Sequence, residues 1–204
     1  MRLMTTGARP YQLRCIDKLG HTFRGDESLL DVGCGDGSVA RLLRDRVREV
    51  VAIDIQGFDK WDAATPGLTF QVANGEDLPF DDASFDLVHS KDSLHHMDRP
   101  ELALLEYRRV LRPGGAALIV EANRFNPSFF LQMTLLRGHQ HFRRSRFEHL
   151  VRAVFPETRF GAFEAHYVPG ATRLLRLQHA VEERLERLGA LRPVLAYNFA
   201  VTAR

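Results

Sequence analysis

From residue 28 to residue 122, short apolar runs alternate with amphipathic stretches, and this alternation leaves few folds open. SLLDV at 28–32, VVAIDI at 50–55, LTFQVA at 68–73 and FDLVHS at 85–90 read as buried strands. Residues 38–48 place Val39, Leu42, Leu43 and Val47 on one face of a helix. A second helix is predicted over 100–111. In RPGGAALIVEA at 112–122, proline and glycine stop that helix and a fifth strand follows. Strand and helix in this order predict an α/β fold with a doubly wound parallel sheet and helices on both faces.

The flanks extend this frame. Tyr11, Leu13, Ile16 and Leu19 fall near helical spacing and predict a helix over 9–20. Further helices are predicted over 127–136 and 146–155, and strands over 158–168 and 194–201. Leu174, Leu177, Val181, Leu185 and Leu188 form an amphipathic stripe that reads as core packing. A chain of 204 residues, 45% of them hydrophobic, can bury one substantial core, so one domain over 1–204 is expected.

DVGCGDG at 31–37 lies between the first strand and the next helix. A helix N-terminus offers unpaired N–H groups and a positive dipole end, and glycines before it let a ligand approach the backbone. A phosphate, a dinucleotide or another nucleoside cofactor can use this device. A Walker loop needs four residues between its glycines and a following Gly-Lys-Ser/Thr, which is missing. The dinucleotide fingerprint wants glycine or alanine where Ser38 stands; here the third glycine has moved forward to Gly37. Asp54 closes the next strand about 20 residues on, where an acid can accept both ribose hydroxyl protons.

Asp31-Val-Gly33-Cys-Gly35-Asp-Gly37 resembles motif I of the class I S-adenosylmethionine-dependent methyltransferases, small-molecule type. VANGEDLPFDDASFDLVHSKDSLHHM at 72–97 and LRPGGAALIV at 111–120 resemble that family's later stretches in order and spacing. The resemblance implies a Rossmann-like sheet of seven strands, mostly parallel with an antiparallel C-terminal strand. It also implies three regions: an N-terminal helical segment (1–27), a cofactor-binding core (28–122) and a substrate side with lid helices and the last two strands (123–204). The implied cofactor is S-adenosyl-L-methionine, leaving as S-adenosyl-L-homocysteine, with no metal. Gly33 and Gly35 would approach its methionine half closely, with Cys34 a small filler, Gly37 completing the loop and Asp31 orienting the amino-acid end. Asp54 would hold the ribose, and Ile55 would pack on the adenine. Asn74, Gly75 and Glu76 would meet the adenine edge, and Ser90 the amino-acid portion. The family usually has aspartate where Asn74 stands, yet an asparagine carbonyl also accepts the adenine amino hydrogen. The connection over 55–67 is shorter than the family's fuller helix, which leaves the outer wall of the adenine pocket undefined.

A sulfonium methyl is already activated, so the protein must align a nucleophile and, for a hydroxyl acceptor, remove a proton. His96 and His95, after the fourth strand, are the candidate bases. RGHQHFRRSRFEH at 137–149 sets Arg137, Arg143, Arg144 and Arg146 against one acid, Glu148. This stretch reads as a cationic mouth for an anionic group or as a solvated face. Asn123, Arg124 and Asn126 are candidates to line the substrate cavity, with Phe125, Phe129 and Phe130 as apolar walls. The expected function is methyl transfer to a small-molecule acceptor, anionic or amphipathic, at a hydroxyl oxygen. The alternatives are a protein or RNA methyltransferase and a cofactor-binding adaptor that has lost turnover. A net charge of +2 argues against a dedicated nucleic-acid binder. Two cysteines form no disulfide framework, and the N-terminus lacks an apolar signal core, so a cytoplasmic monomer or homodimer without a membrane span is expected.

Overall fold

The structure, a computed structural model, describes residues 8–62, 65–131, 141–166 and 175–204. Strands β1 (Ser28–Val32), β2 (Glu49–Asp54), β3 (Leu68–Val72), β4 (Phe85–Lys91), β5 (Leu111–Ala122), β6 (Thr158–Phe163) and β7 (Tyr197–Thr202) form one seven-stranded sheet. Its order is β3-β2-β1-β4-β5-β7-β6, all parallel except β7, which runs antiparallel to both neighbours. The helices are α1 (Ala8–Asp17), α2 (Ser38–Arg44), α3 (Pro100–Val110), the short α4 (Pro127–Phe129), α5 (Arg144–Val154) and α6 (Leu175–Arg187).

Adjacent residues on each strand serve opposite faces, the two-residue period of an extended chain. Leu30, Val88 and Ile119 pack with Leu104 and Tyr107 of α3 and Phe147 and Val151 of α5. Leu29, Val50 and Leu87 pack with Ile16 of α1 and Leu42 and Leu43 of α2. Both faces are therefore covered, which is why adjacent positions such as Leu29 and Leu30 in β1 or Leu87 and Val88 in β4 are both apolar. The chain winds outward from β1 through β2 to β3, then returns to place β4 on the other side of β1. That reversal opens a crevice beyond the C-terminal ends of β1 and β4, where open α/β sheets bind ligands.

Three expectations shift. The stripe over 174–188 does not pack into the core: Leu177, Val181 and Leu188 are exposed, and Leu174 lies outside the described residues. The buried side of α6 is acidic instead. Glu182 meets Arg14 of α1 at 3.0 Å, and Glu186 pairs with Lys18. Strand β6 ends at Phe163, short of the predicted 168, of which 167 and 168 are not described. Of the helix predicted over 127–136, Pro127–Phe129 is helical and 132–136 lie outside the described residues. Among the described residues no helix is long and apolar enough to cross a membrane.

Candidate active site

Strand β1 ends in the glycine loop, where Gly33, Gly35 and Gly37 all take positive φ (73°, 53° and 76°). The Gly33 and Cys34 N–H groups both donate to the Ile53 carbonyl at 2.9 Å, tying the loop to β2. At Gly33 the absence of a side chain is obligatory, because a Cβ there would lie 2.0 Å from Ser93 Oγ. Gly35 N–H donates to the Asp54 carboxylate at 2.8 Å, and its carbonyl accepts from Trp61 Nε1 at 2.9 Å. The Trp61 ring stacks on Phe70 with centroids 5.1 Å apart. Asp36 caps the start of α2 by accepting from the Ser38 N–H at 3.0 Å and also takes the Lys60 ammonium at 2.6 Å. These bonds hold the Asp36 carboxyl below the usual carboxylate range although partial burial works against them.

The loop forms one wall of a cleft of about 720 Å³. Asp54, Ile55, Gln56 and Phe58 continue that wall; Asn74, Gly75 and Glu76 face them, and Ser93, His96 and Met97 close the end. The short 55–67 connection thus supplies its own outer wall, with Ile55 69% exposed and open to pack on a planar ligand. Gly75 is held against the floor, since a Cβ there would meet Met97 Cε at 2.8 Å and Val32 Cγ1 at 2.9 Å. Asn74 Oδ1 accepts the Glu76 N–H at 2.9 Å, which fixes the turn but leaves the carbonyl a second lone pair. Glu76 in turn accepts from the Arg99 N–H at 3.0 Å.

Behind Gly33 and Gly35 a smaller cavity of about 170 Å³ is lined by Asp31, Cys34, Gln12, His89 and Lys91. Asp31 and His89 are buried and bonded at 2.7 Å. Burial, reinforced by the charges of Asp31 and Asp54, pushes the Cys34 thiol far up, which disfavours its thiolate. Gly37 lies away from both cavities; a Cβ there would meet the Phe70 ring at 2.5 Å, so this glycine serves packing. Ser90 is fully buried and accepts from the Tyr107 hydroxyl at 3.3 Å, so the strand's phase turns it away from the cleft.

The two histidines separate. His96 lines the cleft, whereas His95 lines an adjoining cavity of about 280 Å³, with the two rings 4.1 Å apart. His95 Nδ1 lies 2.6 Å from the carboxylate of Glu121, itself fully buried on β5. The other Glu121 oxygen accepts the N–H groups of Ser93 (3.1 Å) and Leu94 (2.8 Å). Burial opposes a charge on His95, but the bond to Glu121 and its charge outweigh burial and raise the imidazole pKa above its ordinary 6.5. With Nδ1 engaged, Nε2 is the nitrogen left for a substrate proton.

The substrate-side candidates also divide. Arg124 and Arg143 line the His95 cavity together with Arg146, His141 and Phe142. Arg144 is turned to Glu148 at 2.6 Å and does not line it. Asn123 is a correction: it is buried, its amide donates to the Pro193 and Leu195 carbonyls, and it fastens the turn before β7 instead of lining a cavity. Phe125 and Phe130 are exposed, and Phe129 packs edge-on to Tyr197. Arg146, one of the arginines of the expected cationic mouth, does line this cavity. Sequence reasoning missed Ser93, Met97 and above all Glu121. An acid inside an apolar strand was the available signal, because a buried charge needs a partner.

Comparison with known proteins accords with this arrangement. Residues 30–119 match the family model described as "Methyltransferase domain". An O-methyltransferase, resE, of Aspergillus sclerotiorum is 36% identical over 129 residues, covering 57% of this chain and 47% of that protein. A malonyl-[acyl-carrier protein] O-methyltransferase of Pseudescherichia vulneris is 38% identical over 103 residues, covering 50% of this chain and 40% of that one. The chain thus spans less than half the length of both relatives. The crystal structure of a SAM-dependent methyltransferase from Archaeoglobus fulgidus superposes with a TM-score of 0.69 at 15% identity, covering 96% of this chain and 94% of that one. Fold, glycine loop and matched segment agree: over residues 30–119, which carry the glycine loop and most of β1 to β5, the chain is similar to methyltransferase domains.

Proposed function

We propose that this chain transfers a methyl group from S-adenosyl-L-methionine to a small-molecule acceptor, at a hydroxyl oxygen, by in-line displacement. The observation that carries this is the single cleft joining Gly33 and Gly35, Asp54, Asn74 to Glu76 and His96. A volume of about 720 Å³ lies within the range of sites for ligands of this size. The cofactor supplies a methyl on a cationic sulfur; the chain's residues supply position and proton transfer. Gly33 and Gly35 admit the cofactor to the backbone. Asp54 accepts the ribose hydroxyl hydrogens with the carboxylate that the Gly35 N–H already orients. Ile55 packs on the adenine, while the Asn74 carbonyl and Gly75 backbone read its edge. Asp31, braced by His89, faces the amino-acid end. His96 contacts the cofactor, and His95, set by Glu121, takes the acceptor's proton.

Asp54→Ala should weaken S-adenosyl-L-homocysteine binding about tenfold or more, because charge-assisted hydrogen bonds are lost. Calorimetry checks this, and unchanged affinity removes Asp54 from the site. Transfer of labelled methyl from S-adenosyl-L-methionine into fractionated cell extract tests the function. Label in the small-molecule fraction supports the reading. Label confined to protein or RNA supports the macromolecular alternative, and cofactor binding without any transfer supports an adaptor.

A further inference from the structure

The cavity beside the cleft has a charge pattern that the fold itself does not need. Arg124, Arg143 and Arg146 line it with His95 and His141, against one acid, Asp98. Among the described residues none of the three arginines has a carboxylate partner, although Arg144 next door is paired with Glu148. Arg143 is also the N-cap of α5, and its side chain makes no capping bond. The first turn of this 11-residue helix contains no acid. A helix start is the positive end of the dipole and favours anions; setting Arg143, Arg144 and Arg146 there is unfavourable in the free protein. Such an arrangement is repaid when an anion arrives, since unpaired N–H groups and guanidinium forks both donate to oxyanions. Two of the guanidinium groups are steadied over aromatic rings, Arg143 on Phe125 at 5.9 Å and Arg146 on Phe142 at 5.5 Å. The cavity meets the cleft across Met97 and Asp98, which line both, and carries the Glu121-bound His95 in its wall.

We propose that this cavity is the acceptor subsite and that it anchors an oxyanion, a carboxylate or a phosphate, borne by the methyl acceptor. The subsite rests on the methyltransferase reading for its role, but its anion binding is measurable without turnover. Arg124, Arg143 and Arg146 hold the oxyanion, and the part of the acceptor next to it lies toward His95 and the shared wall.

The test titrates the full chain, saturated with S-adenosyl-L-homocysteine and at constant ionic strength, with inorganic phosphate and with malonate. At least one anion should bind, and the Arg143→Gln/Arg146→Gln double variant should bind it about tenfold more weakly, while homocysteine-cofactor affinity stays unchanged. Arg124→Gln should weaken the same anion separately. Arg152→Gln, which removes equal charge from the far end of α5, should not. Phosphate alone or malonate alone assigns the oxyanion. No binding of either, or equal binding by wild type and double variant, overturns the subsite. Failure of S-adenosyl-L-homocysteine to bind the wild-type chain is a different result and overturns the methyltransferase reading instead.

Discussion

Glu121→Gln should lower methyl-transfer turnover by about 10²–10⁴-fold, the usual worth of a positioned general base, with little change in cofactor affinity. Glutamine fills the same volume, and its carbonyl can still accept the Ser93 and Leu94 N–H groups that Glu121 accepts. Its NH₂ then faces His95 Nδ1, where the carboxylate had accepted a proton. The imidazole must invert its tautomer, so Nε2 carries hydrogen and cannot take the acceptor's proton. Rate should follow the unprotonated form of His95. Because Glu121 raises that group above 6.5, wild-type turnover should climb with pH through a limb lying above 6.5. His95→Ala should match the loss in kcat, whereas His96→Ala should weaken cofactor binding more than it slows turnover. Steady-state kinetics across pH, with kcat separated from KM, decide this. An unaltered kcat in Glu121→Gln removes His95 as the base.

Gly33→Ala should be damaging in a different way, destabilising the fold and removing cofactor binding together. The backbone at φ 73° costs an L-residue about 1–2 kcal/mol. The new Cβ would also lie 2.0 Å from Ser93 Oγ and 2.5 Å from Ser93 Cβ, so the loop and the turn after β4 must move apart. Overpacking of this kind adds about 1–3 kcal/mol. Gly35→Ala provides the contrast, because a Cβ there meets nothing within 4 Å although Gly35 lines the cleft. It should cost mainly backbone strain in stability yet still obstruct the ligand. Denaturant unfolding with parallel cofactor titration separates the two. A Gly33→Ala/Ser93→Gly pair should recover part of the lost stability, and full additivity would show that the Ser93 contact is not the cause.

The parts of this molecule that the sequence shows are those governed by local chemistry. Strands β1, β2 and β4 are covered on both faces, so apolar residues stand side by side in them, as in Leu29-Leu30, Val50 to Ile53 and Leu87-Val88. The glycine loop declares itself because its three positive φ angles favour glycine, and at Gly33 and Gly37 a Cβ would also collide with a neighbour. What stays hidden depends on pairing between distant segments. The bond between His95 and Glu121 spans 26 residues and exists because β4 and β5 are neighbours. Helix α6 looked like a leucine-lined core helix, but it is held by ion pairs to Arg14 and Lys18, 168 residues away. Ser90 and Asn123 stand at the right strand ends for ligand contact, but the phase of the chain turns both inward. Arg144 and Arg146 are equivalent as letters; the start of α5 sends one to Glu148 and the other to the cavity.

Whether the cleft beside Gly33 and Asp54 is built for S-adenosyl-L-methionine is decided by calorimetric titration of the purified chain with S-adenosyl-L-homocysteine and, separately, with NAD. Saturable binding of S-adenosyl-L-homocysteine, lost in Gly33→Ala and weakened in Asp54→Ala, is the predicted result, with no heat from NAD. Binding of NAD with none of S-adenosyl-L-homocysteine would contradict it.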